Sequence, residues 1–164
     1  MSARIAVYAG SFDPITHGHL NIIERSSRLF EKLVIGIGVN IDKKSLFTVE
    51  ERIDLARRVT ASYGNVDVVH FEGLAVDFVR SQEAQVLVRG VRPMTDVSGE
   101  FSMLLANRQL APEIETVFLM ADSEYAHVSS SLIKQIAPLA TDEMLERFLP
   151  TEIVDALRAK MTVL

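Results

Sequence analysis

The densest cluster of chemically useful side chains is the run Gly10-Ser11-Phe12-Asp13-Pro14-Ile15-Thr16-His17-Gly18-His19. It follows the short apolar stretch Ile5 to Ala9 and precedes a segment with Leu20, Ile23, Leu29 and Phe30 near helical spacing. The run is therefore a strand-to-helix loop. Gly10 permits a tight exit from the strand, and Gly18 lets a ligand approach the helix start closely. Unsatisfied N–H groups in that first turn, together with the positive end of the helix dipole, suit a phosphate. Neither G-x-G-x-x-G nor G-x-x-x-x-G-K is present, so neither a dinucleotide fingerprint nor a P-loop is the device. His17 and His19 would share a face on a strand, but on a helix they stand about 200° apart and cannot serve one metal ion. No protein metal ligand is expected.

Two further clusters could handle anions. Arg89 ends the apolar run Val86-Leu87-Val88, where a strand would deliver a cation to the edge of a sheet. Ser129-Ser130-Ser131 precedes a helical segment and reads as an N-cap; an N-terminus rich in hydroxyl and N–H groups is also a phosphate cradle. Lys43-Lys44, taken alone, is a solvated lysine pair.

The elements that must position these residues alternate in period. Strand-like runs occur at Ile5 to Ala9, Leu33 to Val39, Val66 to Phe71, Val86 to Val88 and Val117 to Met120. Helical stripes lie between them. One opens on the capping box Thr48-Val49-Glu50-Glu51 and carries Ile53, Leu55, Ala56 and Val59; a short one holds Val76 and Val79; another runs from about Glu100 to Leu110. Beyond Ser129 the chain predicts two or three helices broken at Pro138 and Pro150, with Thr151 a good helix start. Five apolar strands alternating with helices indicate an α/β fold, a doubly wound five-stranded parallel sheet of Rossmann-like topology with C-terminal helices. Ligands bind such sheets beyond the carboxyl ends of the strands, and each unusual cluster falls in a loop at that edge.

At 164 residues the chain is expected to form one domain, 1–164, with a helical extension at about 139–164. Hydrophobic residues at 48% and charged residues at 24% are ordinary globular proportions and exclude a disordered chain. Cysteine is absent, which removes disulfides and thiolate nucleophiles and is compatible with a reducing cytoplasm. A net charge of −5 argues against a general nucleic-acid partner, though a small anion feels only the local cations. No apolar run is long enough to span a bilayer, so no membrane partner is expected and the localisation is read as cytoplasmic.

The loop G-S-F-D-P-I-T-H-G-H resembles the T/H-x-G-H signature of the nucleotidyltransferase superfamily. Four further features narrow the resemblance to the phosphopantetheine adenylyltransferases. They are Lys43-Lys44 with Phe47-Thr48-Val49-Glu50-Glu51-Arg52, then Val88-Arg89-Gly90-Val91-Arg92, then Asn107-Arg108, then Val128-Ser129-Ser130-Ser131-Leu132-Ile133-Lys134. They stand in the right order and spacing, from about Arg4 to the C-terminal helix.

The resemblance implies a Rossmann-like nucleotidyltransferase fold and transfer of AMP from ATP to 4′-phosphopantetheine, giving dephospho-coenzyme A and pyrophosphate. It assigns His19 to the transition state, with Lys43 and Arg92 as further catalytic cations. Ser11, Lys43, Leu74, Ala75, Arg89, Met103 and Asn107 would bind the acceptor. Ser11, Phe12 (through its backbone), His19, Gly90, Val91, Arg92, Glu100, Tyr125, Ala126, His127, Val128, Ser129, Ser130 and Ser131 would bind ATP. His17 fills the variable position and should point away. Mg²⁺ is expected with the nucleotide, and the family is usually a homohexamer, a dimer of trimers. The sequence departs from the family at Val97-Ser98-Gly99, where an aromatic, an acidic residue and a tyrosine are usual, and at Gln135, usually acidic. The competing readings are a related nucleotidyltransferase with another acceptor and a non-catalytic nucleotide-binding module on the same fold.

Overall fold

A computed structural model describes residues 4–39, 44–91 and 97–163, with the backbone alone at 97–100 and 163. Five strands, β1 (Ile5–Gly10), β2 (Lys32–Ile37), β3 (Val66–His70), β4 (Val86–Val91) and β5 (Glu115–Met120), form one sheet in the order β3-β2-β1-β4-β5. All four neighbouring pairs are parallel, with Val7 level with Val34 on one side and Leu87 on the other. The connecting helices are α1 (His17–Leu29), α2 (Val49–Thr60), α3 (Ala75–Ser81) and α4 (Val97–Leu110). The chain closes with α5 (Ser130–Ile136), α6 (Asp142–Leu145) and α7 (Thr151–Val163).

Strand alternation decides which residues meet which helices. Ala6, Tyr8, Leu33, Ile35, Ile37 and Val88 face one side and pack with Ile22 and Ile23 of α1, Leu55 and Ala56 of α2, and Ile153 and Leu157 of α7. Val7, Ala9, Val34 and Leu87 face the other side and pack with Val76, Phe78 and Val79 of α3. The C-terminal helices therefore belong to the same core as α1 and α2. Sheet order reverses direction between β1 and β4, and at that switch the two sets of crossover helices part to opposite faces. A crevice is left at the carboxyl edge, where a doubly wound sheet binds its ligand.

The expected elements are all present, with shifted ends. The second strand stops at Ile37 rather than Val39, which is 53% exposed. The fourth helix begins at Val97 rather than Glu100. Leu29, expected on the buried stripe of the first helix, is exposed because it lies in that helix's last turn, beyond the sheet.

Candidate active site

Helix α1 starts in a way that explains the T-x-G-H spacing. Thr16 is its N-cap: the Thr16 Oγ1 accepts from the His19 N–H at 3.3 Å, and the Thr16 N–H donates to His19 Nδ1 at 3.0 Å. This is a capping box in which histidine occupies the position normally held by Glu or Gln. A backbone N–H can only donate, so Nδ1 is the acceptor and a neutral ring carries its proton on Nε2. The cap thus sets both the orientation and the tautomer of a half-buried imidazole at the edge of the sheet. Its ring lies 5.0 Å from that of Phe12 and 6.5 Å from that of Tyr8, centroid to centroid.

Phe12 is 2% exposed and adopts φ = +46°, a left-handed conformation that is costly for a bulky residue. Its ring fills the space beside Gly10, where an added Cβ would stand 3.1 Å from it. The Phe12 ring is therefore withdrawn from any ligand at this edge. His17 turns the other way: its N–H donates to the Phe148 carbonyl at 2.8 Å, and its Nε2 lies 3.2 Å from the Glu146 carbonyl. The two histidines address different partners.

Strand parity separates the sides of the site. Arg89 shares a face with Leu87 and lines a cavity of about 560 Å³ together with Leu74, Ala75, Met103 and Asn107. Five residues from three separate sequence segments, all expected to bind an acceptor, are thereby brought into one pocket. Its remaining walls include Gly38, Val39, Phe71, Thr116 and Phe118. Arg89 also donates through Nη1 to the Ala9 carbonyl at 3.3 Å, which carries it across to β1. The adjacent Gly90 necessarily faces the opposite side. A Cβ there would stand 3.0 Å from Ile22 Cγ1 and 3.2 Å from the Tyr8 hydroxyl, so close packing of α1 requires glycine.

The other expected nucleotide residues that the structure describes in full lie after β1, at the end of β4, after β5 and at the start of α5. Ala121 N–H donates to the Val91 carbonyl at 3.0 Å, and a single 3-10 turn over Ser123–Tyr125 follows. An added Cβ at Gly18 would lie 3.7 Å from the Tyr125 carbonyl, an ordinary contact, so packing within the chain does not demand that glycine. Burial pushes the Tyr125 phenol above its ordinary pKa, with the hydrogen bond it donates to the Glu124 carboxylate adding to the effect. Ala126 is half-buried, Val128 is buried and His127 is exposed, its ring 5.7 Å from that of Phe148. Ser129 caps α5, accepting from the Leu132 N–H at 3.1 Å, while the Ser130 hydroxyl donates to the Pro14 carbonyl at 2.8 Å. Ser11 is half-buried and Ser131 exposed. Lys43 and Arg92 lie outside the described residues, as do the side chains of Glu100 and of Val97-Ser98-Gly99. Gln135 sits on the exposed side of α5.

Sequence reasoning missed the residues that tie these loops together. Asp13, 3% exposed, accepts from Leu46 N–H and Phe47 N–H at 2.9 Å each and from Lys134 Nζ at 2.8 Å. It joins the loops after β1 and β2 to α5. Asn21 pairs with Asp122 through its Nδ2 at 2.7 Å, and Arg25 reaches the Met120 carbonyl, which fixes the loop after β5 to α1. Arg52, 2% exposed, bonds three carbonyls. Asp13 and Lys134 both stood inside quoted motifs, but a buried pair 121 positions apart has no local signature. At the start of α2, Thr48 and Glu51 form the expected capping box, and Lys160 of α7 lies 2.8 Å from both Glu51 oxygens. The Lys160 bond, then the Thr48 N–H, hold the Glu51 carboxyl below its ordinary pKa.

A parallel β3-β2-β1-β4-β5 sheet carrying a T-x-G-H cap, with a ligand-sized cavity beside it, defines a nucleotidyltransferase, and the Cytidylyltransferase-like family model matches residues 7–136. A phosphopantetheine adenylyltransferase of Rhodopirellula baltica is 61% identical over 162 residues, covering 98% of this chain and 90% of that one. Another from Clostridium botulinum is 48% identical over 151 residues, covering 92% and 94%. This chain belongs to the phosphopantetheine adenylyltransferase family. Among solved structures, a Plasmodium falciparum nicotinic acid mononucleotide adenylyltransferase complexed with NaAD aligns with a TM-score of 0.60 over 93% of each chain. At 14% identity it shares the fold alone.

Proposed function

We propose that this chain transfers the adenylyl group of ATP to 4′-phosphopantetheine, forming dephospho-coenzyme A and releasing pyrophosphate. The observation that carries this reading is the cavity of about 560 Å³ at the carboxyl edge of the sheet. Its lining supplies one cation (Arg89), one amide (Asn107) and apolar walls from Leu74, Ala75 and Met103, with its one carboxylate, Glu72, 90% exposed at the rim; this suits an acceptor with an anionic end and an amide-bearing arm.

The acceptor phosphate has a second pKa of about 6 and is its own ionised nucleophile, so no general base is required. One of its oxygens attacks the α-phosphorus, and the bond to the bridging oxygen breaks as pyrophosphate leaves with the electron pair. Catalysis then consists of aligning two polyanions and stabilising charge on the transferring group. His19 donates its Nε2–H to an α-phosphate oxygen. Ser11, Lys43 and Arg89 hold the acceptor phosphate, and Arg92 serves the ATP phosphates. The Phe12 backbone, Gly90, Val91, Glu100 and the segment 125–131 hold the rest of the nucleotide.

Mg²⁺ arrives with ATP in this reading. Asp13 and Asp122 commit oxygens to protein donors, and among the described residues no group of three His, Asp or Glu could hold a metal ion. Such a donor set fits a cation carried by phosphates and water, which would neutralise charge on the leaving pyrophosphate.

The working unit is a homohexamer, a dimer of trimers, acting in the cytoplasm. In support, α4 leaves Phe101, Leu105 and Leu110 more than half exposed, with Met120 of β5 alike, an apolar surface that a further subunit would cover. Among the described residues no helix is long and apolar enough to cross a membrane.

The test is mass-spectrometric detection of dephospho-coenzyme A from ATP and 4′-phosphopantetheine, with pyrophosphate released in equal amount. Turnover only with CTP, or only with a mononucleotide acceptor, would refute the substrate assignment. Calorimetric ATP binding without turnover would refute the enzyme.

A further inference from the structure

We propose that Arg52 is a positioning residue for the acceptor phosphate, holding the backbone carbonyls at the ends of β1 and β2 away from the incoming anion and supplying its counter-charge. The inference rests on the reading of the acceptor given above. Arg52 is 2% exposed, yet among the described residues its side chain meets only backbone oxygens. Nη1 donates to the carbonyls of Ser11 at 2.8 Å and Gly38 at 2.9 Å, and Nε to that of Thr48 at 3.3 Å.

A buried guanidinium without a carboxylate is costly. This one also stands in the first turn of α2, against the positive end of the helix dipole. The nearby Asp13 and Glu51 do not bond it. Asp13 is taken by Lys134 and two N–H groups, and Glu51 by Lys160 and the Thr48 N–H. Lys134 and Lys160 each hold a carboxylate directly, whereas Arg52 has none among the described residues within ion-pair distance and feels the exposed Glu50 only at longer range.

The placement of that charge identifies its partner. Gly38 lines the acceptor cavity, and Ser11 follows the last residue of β1. At the carboxyl edge of a parallel sheet, terminal carbonyls present partial negative charge to whatever enters. Two of those oxygens are here drawn onto one guanidinium. A phosphate entering between them meets a positive field where bare carbonyls would repel it.

The experiment compares binding of 4′-phosphopantetheine with that of pantetheine, which lacks the phosphate, by calorimetry in Arg52→Gln and Arg52→Lys. Arg52→Gln should weaken the phosphorylated ligand on the order of tenfold, the effect of unit charges about 10 Å apart at an effective dielectric of about 20. Pantetheine should bind as to the parent chain. Arg52→Lys keeps the charge but loses the fork, so it should show a smaller loss, again confined to the phosphorylated ligand. Equal weakening of both ligands, or of neither, overturns the proposal and leaves Arg52 a packing residue. Should Arg52→Gln fail to fold, the same comparison in Arg52→Lys decides. Turnover by the parent chain tests the underlying reading separately, since it can be present whichever way the variants fall.

Discussion

The capping box at the start of α1 makes His19 responsible for two separable quantities, and two variants divide them. In His19→Ala the Thr16 N–H, in a residue 1% exposed, loses its 3.0 Å acceptor. An orphaned buried donor costs about 1–3 kcal/mol. For a chain of this size that lowers Tm by roughly 5 °C, taking about 2–4 °C per kcal/mol. In the proposed reaction the same change also removes the Nε2–H assigned to the transferring phosphoryl group, and loss of one such donor lowers kcat by about 10²–10³-fold. His19→Gln keeps an acceptor at the box position, since glutamine is a regular partner there. It should recover most of the lost Tm while kcat stays depressed by at least about 10². Differential scanning calorimetry and a pyrophosphate-release assay on both variants read the two effects. The reasoning fails if both variants share one Tm with the parent, because Nδ1 then carries no cap. It fails equally if His19→Ala turns over at the parent rate.

Three further outcomes follow from particular contacts. Asp13→Ala leaves Lys134 and two backbone N–H groups without their acceptor and should cost about 3–5 kcal/mol in urea unfolding, partly restored in Asp13→Ala/Lys134→Met; equal losses in single and double variants would sink the clamp. Gly90→Ala drives a Cβ to 3.0 Å from Ile22 and should cost about 1–3 kcal/mol by overpacking, so an unchanged melting curve contradicts the packing role. Glu51 has a folded pKa below its ordinary 4.5, so its bond to Lys160 contributes stability above that pH and loses it as pH falls through the lowered value. Glu51→Gln should therefore melt lower than the parent near neutrality, and the gap should close below about pH 4.5; the exposed side of the pair keeps the difference small.

What could be read in the sequence was whatever the chain encodes locally. Apolar runs and stripes gave the five strands and their helices because burial on both faces of a parallel sheet forces that pattern. Thr48-Val49-Glu50-Glu51 announced a helix start through a familiar residue pair, whereas Thr16 to His19 makes the same box with histidine and went unread as a cap. Gly90 looked like a ligand contact and is at least as much a packing glycine, a distinction that needs the neighbouring α1. Asp13, Lys134 and Arg52 join segments as far as 41 and 121 positions apart in sequence, and no local window along the chain could have paired them.

The parity of β4 is the step that joins both halves of the site. Arg89 and Gly90 are consecutive, so they must face opposite sides of the sheet: the arginine into the acceptor cavity, the glycine against α1, whose first turn carries His19. One residue of strand separates the acceptor's cation from the helix that delivers the imidazole. That economy is available only where the sheet order reverses, because α1 and α3 lie on opposite faces there and leave the strand ends between them uncovered. In the proposed reaction an acidic chain binds two polyanions because the field they meet at this edge is set locally by Arg89 and Arg52. The chain's net charge of −5 is irrelevant at distances beyond a Debye length of about 8 Å.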